Sequence, residues 1–314
     1  MTLSVFLQSI SGIITIIIMI AVGYVLARRG WFDDKSSSLI ARLVTQIGLP
    51  CYMIETIVGR FSAGDLKTML PQLRYPAMSM VILLAIAMAF AQIFQVKKSH
   101  RGLFTSMFFN SNTVFVGLPI NQALFGDASV PYVLVYYMCN TTFFWTIGLY
   151  LIQRDGELGQ GLSWKDSLKK IFSAPLLGFM VGVALVLLRI KLPHFLLSDL
   201  TYLGNITIPL SMIFIGISIA KLGLSNLRLG KDHLLILLGR FMVAPLLMTF
   251  MVMPTRMPHL MKEVFIIQSA MPVMTNAPVV SKLYGADADY AAVMVTETTL
   301  MTLVVIPILM VLLG

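Results

Sequence analysis

The stretch "FFNSNTVFVGLPINQALFG", Phe108 to Gly126, decides how this chain is read. It falls in a run apolar enough to cross a membrane. Yet its middle carries Asn110, Ser111, Asn112, Gly117, Pro119, Asn121 and Gln122. Hydrocarbon offers no partner to a polar side chain or to an unpaired main-chain group. An interrupted span is tolerated only where protein buries it or where it lines a wet cavity. The stretch therefore belongs inside a bundle of other spans.

The remaining sequence supplies that bundle. Of the 314 residues, 58% are hydrophobic and 12% charged, against about 25% charged in a soluble domain. Apolar blocks of about twenty residues alternate with short polar links, the pattern of a multi-span α-helical membrane protein. Ten spans are expected, at 4–27, 37–59, 72–95, 102–125, 130–152, 170–190, 197–220, 232–253, 260–283 and 288–312. The longest polar interval, Arg154 to Lys170, mixes glycine with charge and reads as a linker. The division is then 1–152 for spans 1 to 5, a cytoplasmic linker at 153–169, and 170–314 for spans 6 to 10.

The net charge of +9 is no sign of nucleic acid here, because cytoplasmic membrane loops collect Lys and Arg. The loops and helix ends after the odd-numbered spans hold 15 basic residues and the others hold 7, with Arg240 left inside span 8. The richer side is cytoplasmic and both termini are extracytoplasmic. The chain is expected in the cell membrane, with the lipid bilayer as its surroundings. The first apolar run is followed, not preceded, by Arg28 and Arg29, the reverse of a signal peptide. Cys51 and Cys139 are isolated, so neither a disulfide nor a metal site is expected. His100, His194, His233 and His259 fall in loops or at span ends and read as surface residues. Nothing resembles a catalytic triad, a P-loop or a nucleotide-binding motif; no enzyme and no cofactor is expected.

A shift of 159 residues aligns the two halves. "QIGLPCYMI" (Gln46 to Ile54) falls on "NITIPLSMI" (Asn205 to Ile213), so that Pro50 meets Pro209; Gly23 meets Gly182, Pro119 meets Pro278 and Gly126 meets Gly285. Five spans per half is an odd number, so the second half enters the membrane from the opposite side. The expected fold is all-α and integral to the membrane: ten transmembrane helices in two inverted five-helix repeats, with spans 4 and 9 broken and crossing. Pro119, Pro272 and Pro278 are expected to break those spans by removing the hydrogen bonds to the carbonyls of Phe115, Gln268 and Met274. In such folds the substrate lies near the midplane at the paired breaks.

The candidate substrate-binding residues follow. Asn110, Asn112, Gly117 and Pro119 lie on span 4, and Thr275, Asn276 and Pro278 on span 9. Gln46 and Asn205 precede the paired prolines of spans 2 and 7, and Asn140 lies on span 5. Amides serve anions or cations. Half-helix N-termini carry about +0.5 charge, and the span 9 break has no acid, so an anion is favoured. Arg240 has three readings: a clamp on a substrate carboxylate, a structural partner of Glu297, or a side chain snorkelling toward the cytoplasmic end of span 8. Glu297 in turn is either a carrier of a coupling proton or a paired structural acid.

"NTVFVGLP" with "ALFG", "AMPV" and "NAPVVSKLYG", and "IPL" on span 7 together resemble the auxin efflux carrier family, including bacterial permeases assigned to malate or malonate. The resemblance covers essentially the whole chain. It implies a scaffold domain, a transport domain and an organic anion held at crossing helices 4 and 9, with Asn112, Pro119, Asn276 and Pro278 in that role. The long central hydrophilic loop of many plant members is absent, which favours the bacterial permease branch.

The function expected is a secondary carrier of small carboxylates such as malate, working by alternating access. A second copy of the chain is a further candidate partner. The rivals are a Na⁺- or H⁺-coupled symporter or antiporter of related fold, and a carrier-like ligand sensor. The basic-residue asymmetry makes a direct prediction: in a background lacking Cys51 and Cys139, Lys35→Cys is labelled by a membrane-impermeant maleimide only from the cytoplasmic side and Lys262→Cys only from outside. The opposite pattern inverts the orientation.

Overall fold

The computed structural model describes residues 3–156, 172, 174–223 and 230–313. Most of the expected linker, from residue 157 onward, lies outside the described residues. All regular secondary structure among the described residues is helical. Helix α1 is Leu3–Arg28, α2 Asp34–Arg60 and α3 Ala63–Ile93. Two short helices follow, α4 at Arg101–Phe109 and α5 at Gly117–Phe125. Helix α6 runs Val130–Phe143, through Phe144–Gly148, into Leu149–Asp155. Then come α7, Ala174–Leu187; α8, His194–Lys221, and α9, Lys231–Val252; a second short pair, α10 at His259–Ser269 and α11 at Ala277–Tyr284; and α12, Ala288–Leu313.

Five helices, α2, α3, α8, α9 and α12, are long and apolar enough to cross a membrane, and shorter apolar helices lie at Ile14–Arg28 and Ala174–Leu187. The two short pairs fill the intervals expected for spans 4 and 9. Polar residues mark the helix starts. The Asp33 side chain accepts the Ser36 N–H at 2.7 Å ahead of α2, and Ser62 and Asp65 form a reciprocal capping box ahead of α3, satisfying donors that a helix start leaves free.

The helices pack as two groups. In one, α1 lies along α8, and α2 lies against α7 and α8. In the other, α4 packs on α3 and α6, α10 on α6 and α9, and α11 on α12. A large apolar core joins the helices of the second group around Phe104, Phe108, Tyr136 and Phe265. A smaller core joins Ile16 and Ile20 of α1 and Met212 and Ile215 of α8 to Ile120, Ile267 and Ile306 of the second group. Ion pairs tie helix ends together, Lys221 to Asp34 at 2.7 Å and Arg60 to Asp127 at 2.6 Å.

The α1–α8 crossing is close because glycine faces backbone on both sides. A Cβ on Gly216 would stand 2.1 Å from the Ile20 carbonyl oxygen, and one on Gly23 would stand 2.3 Å from that of Ile213. Gly59 of α2 has only the Glu55 carboxylate at 3.7 Å. Gly216→Ala therefore forces the two backbones apart and lowers the melting temperature in detergent, by the equivalent of about 1–3 kcal/mol. Gly59→Ala leaves it unchanged or raises it slightly, because alanine is the better helix former. Equal melting temperatures for the two variants would show that the crossing has slack.

Candidate functional site

Two helical breaks meet inside the bundle. Residues 110–116 separate α4 from α5, and residues 270–276 separate α10 from α11. They are hydrogen-bonded to each other: the Asn112 N–H donates to the Pro272 carbonyl at 2.8 Å, and the Gln268 Nε2 donates to the Thr113 carbonyl at 3.3 Å. Side chains from neighbouring helices hold the loose backbone. Asn140 of α6 clamps Ser111, accepting its N–H at 2.9 Å and donating to its carbonyl at 2.7 Å. Thr298 of α12 accepts the Val273 N–H at 3.0 Å. Gly117 is needed beneath Gln268, whose amide oxygen would lie 2.5 Å from a Cβ.

The prolines act differently from expectation. Pro119 is the third residue of α5 and Pro278 the second of α11, positions where the N–H has no intrahelical partner in any case. They start the second half-helices. The carbonyls expected to be orphaned on span 9 have donors: Ala277 N–H reaches Met274 at 3.0 Å and Met271 N–H reaches Gln268 at 3.3 Å.

Arg240 of α9 is fully buried, and its guanidinium holds both breaks. It donates to the Phe108 carbonyl at 3.1 Å, to Ser269 at 2.5 Å, and to Met271 from two nitrogens at 3.0 and 2.9 Å. These carbonyls close α4 and α10, where the helix dipole is negative, so a cation is favoured there. Glu297 takes another partner, its Oε2 lying 2.9 Å from His233 Nδ1. His233 is buried, which corrects its expected surface placement: the Tyr290 ring of α12 lies 5.2 Å from it and Glu297 of α12 pairs with it.

Beside the meeting point lies a cavity of about 210 Å³. Gln46, Asn112, Thr275 and Asn276 line it, as do Thr141, Tyr137 and Trp145. All its lining residues are uncharged. Two buried donors have no hydrogen-bond partner, Asn112 Nδ2 and the Thr141 hydroxyl. The Asn112 amide orientation is set by its other end, where Oδ1 accepts the Phe115 N–H at 3.2 Å. The remaining candidates lie elsewhere. Asn110 is buried and bonds the Ser106 carbonyl, Asn205 is exposed at a turn within α8, and Asn140 and Gly117 support the breaks.

Three π-helical turns have no counterpart among the sequence expectations. Val44–Gly48 in α2 supplies Thr45 and Gln46 to the cavity, Phe144–Gly148 in α6 supplies Trp145, and Gly239–Val243 in α9 carries Arg240. Such turns widen the helix and re-aim side chains, often at functional sites. The repeated Ile-Gly-Leu at 47–49 and 147–149 is the signal that the sequence offers.

Comparison with known proteins agrees with a membrane function. The model of a family described as "Membrane transport protein" matches residues 9–310. An uncharacterized transporter of Methanocaldococcus jannaschii is 25% identical over 300 residues, covering 94% of this chain and 95% of its own. An uncharacterized transporter of Methanothermobacter thermautotrophicus is 22% identical over 309 residues, covering 97% and 98%.

Arg240 generates a prediction. Arg240→Met leaves buried carbonyls of both breaks unpaired, at about 1–3 kcal/mol for each, and destabilises the protein. Arg240→Lys recovers only part, since one ammonium cannot span both helix ends as a planar fork does. Melting curves in detergent check this. Wild-type stability with weakened anion binding in both variants would instead make Arg240 a ligand clamp.

Proposed function

Since the chain belongs to this membrane transport family, we propose that it is a secondary carrier of small organic carboxylates, with malate-like acids as the best fit. The observation that carries this reading is the uncharged cavity at the joined breaks, with two buried donors left over for a ligand. A carboxylate accepts from both Asn112 Nδ2 and the Thr141 hydroxyl, and bonds to charged ligands contribute about 1.5–3 kcal/mol each. The starts of α5 and α11 lie next to the cavity residues, adding partial positive charge. A volume of about 210 Å³ falls below the roughly 300–1,000 Å³ of drug-sized sites, which favours a molecule of a few carbons.

The proposed architecture is ten crossings in two inverted repeats, 1–152 and 170–314, with both termini outside the cell membrane. A pair of contacts supports it. A Cβ on Gly23 would meet Ile213, and a Cβ on Gly182 would lie 3.4 Å from the Ile54 Cα. Shifting by 159 turns Gly23 into Gly182 and Ile54 into Ile213, so one contact is the exchanged copy of the other. Alternating access then consists of the α3–α6 and α9–α12 group moving against α1, α2, α7 and α8.

Asn112→Asp tests the proposal with almost no change of shape. Its Oδ1 still accepts from Phe115, but the donor facing the cavity becomes an acceptor with negative charge. Thr141→Val removes the second donor. In a thermal-shift screen against organic acids, wild-type protein is stabilised by about 2.7 kcal/mol at one hundred times Kd. Affinity for the acid falls roughly ten- to hundredfold in each variant. Unchanged affinity in both removes the cavity from the substrate path, and stabilisation by Na⁺ in place of any acid favours the cation-coupled rival.

A further inference from the structure

A second polar cluster lies apart from the cavity at the breaks. His233, near the start of α9, and Glu297, inside α12, form a buried pair with Nδ1 and Oε2 2.9 Å apart. A separate cavity of about 790 Å³ opens onto it, lined by His100, His233, Asp287 and Tyr290 among others. The Tyr290 ring stacks on His100 with centroids 5.3 Å apart and tilts over His233 at 5.2 Å. Its hydroxyl is buried without a hydrogen-bond partner. His100 Nε2 lies 3.2 Å from the half-exposed Asp287 carboxylate. Asp287 and His100 are thus paired at the cavity, the Tyr290 ring lies between His100 and His233, and His233 itself lines the cavity beside Glu297.

Other charges face the cluster from three sides. Lys97 lines the cavity ahead of α4, and Arg101 opens α4 with its Nε on the Val96 carbonyl at 2.9 Å. Lys231 and Asp232 stand beside His233, Lys231 donating to the Phe94 carbonyl at 2.5 Å. Asp289 lines the cavity next to Tyr290. On helices packed against α12, Lys282 of α11 is exposed and Lys221 of α8 is taken by Asp34.

A neutral histidine with an ionised glutamate leaves the pair with one negative charge at depth, which low dielectric disfavours. One proton on either partner makes the pair neutral. Glu297 immediately precedes Thr298, whose hydroxyl holds the Val273 N–H at 3.0 Å. We propose that His233 and Glu297 form the proton-binding site of a proton-coupled carrier, loaded from water in the Asp287 cavity, so that one proton crosses with each organic anion and is released to water on the other side. The transport half of this proposal rests on the carboxylate reading; the proton site itself does not.

Two measurements separate the two. The acid-minus-alkaline infrared difference spectrum of the unliganded protein in liposomes contains a protonation band of this pair, either a buried protonated carboxyl that Glu297→Gln removes or an imidazolium that His233→Gln removes. A spectrum unchanged by both substitutions overturns the site, whether or not any acid is transported. With labelled L-malate in proteoliposomes, an imposed pH gradient raises wild-type uptake above exchange at equal pH. Glu297→Gln and His233→Gln, each checked for a wild-type-like melting curve, lower the ratio of gradient-driven uptake to exchange by about tenfold. A ratio unchanged in both variants overturns the coupling. A band lost in either variant without malate exchange in the wild type upholds the proton site and removes malate.

Discussion

An unpaired main-chain group has no partner in hydrocarbon, and the interior of this molecule is arranged around that constraint. Two helices stop and restart within the bundle, and each stop frees carbonyls and N–H groups. The structure satisfies them with Arg240 on three carbonyls, Asn140 on both groups of Ser111, Thr298 on the Val273 N–H, and one bond between the breaks themselves. Each partner comes from a different neighbouring helix. The breaks are thus held from α6, α9 and α12, and the second group of helices is tied together through its least regular residues.

Asn112 Nδ2 and the Thr141 hydroxyl are among several buried side-chain atoms without a partner, and both belong to residues that line the cavity. Leaving a buried donor unpaired costs about 1–3 kcal/mol. A ligand that accepts from both recovers that energy, which is how a site without a formal charge can still prefer an anion. Neutral donors also avoid the strong electrostatic trap that a buried cation would set, and a carrier must release what it binds.

Much of this is legible in the sequence, and the failures have physical causes. The positions of the breaks are visible because asparagine and glycine are costly inside apolar runs unless the helix stops there or meets a cavity. The cavity residues Gln46, Asn112, Thr275 and Asn276 stand out by that pattern, and the family resemblance agrees with the matched transport family. The role of Pro119 and Pro278 is hidden because a proline that starts a helix and one that breaks it look alike until the helix boundary is known. Arg240 invites only side-chain or ligand partners from sequence, while its actual partners are carbonyls, which carry no side-chain identity. His233 looks exposed because it stands at the polar end of its span; Tyr290 of α12 lies against it from more than fifty residues away.

The π turns have a consequence for how such a chain tolerates length changes. Each is an α-helix carrying one residue more than its regular winding accommodates. Deleting a residue within Val44–Gly48 would restore regular winding there and leave the flanking turns of α2 near their present register, because the bulge absorbs its extra residue locally. Tyr52 and Met53 would stay in the core, and the change would fall on the aim of Thr45 and Gln46 at the cavity. A single codon lost at this point would thus alter the site while preserving the helix, its hydropathy and its span, a change that a hydropathy profile would not register.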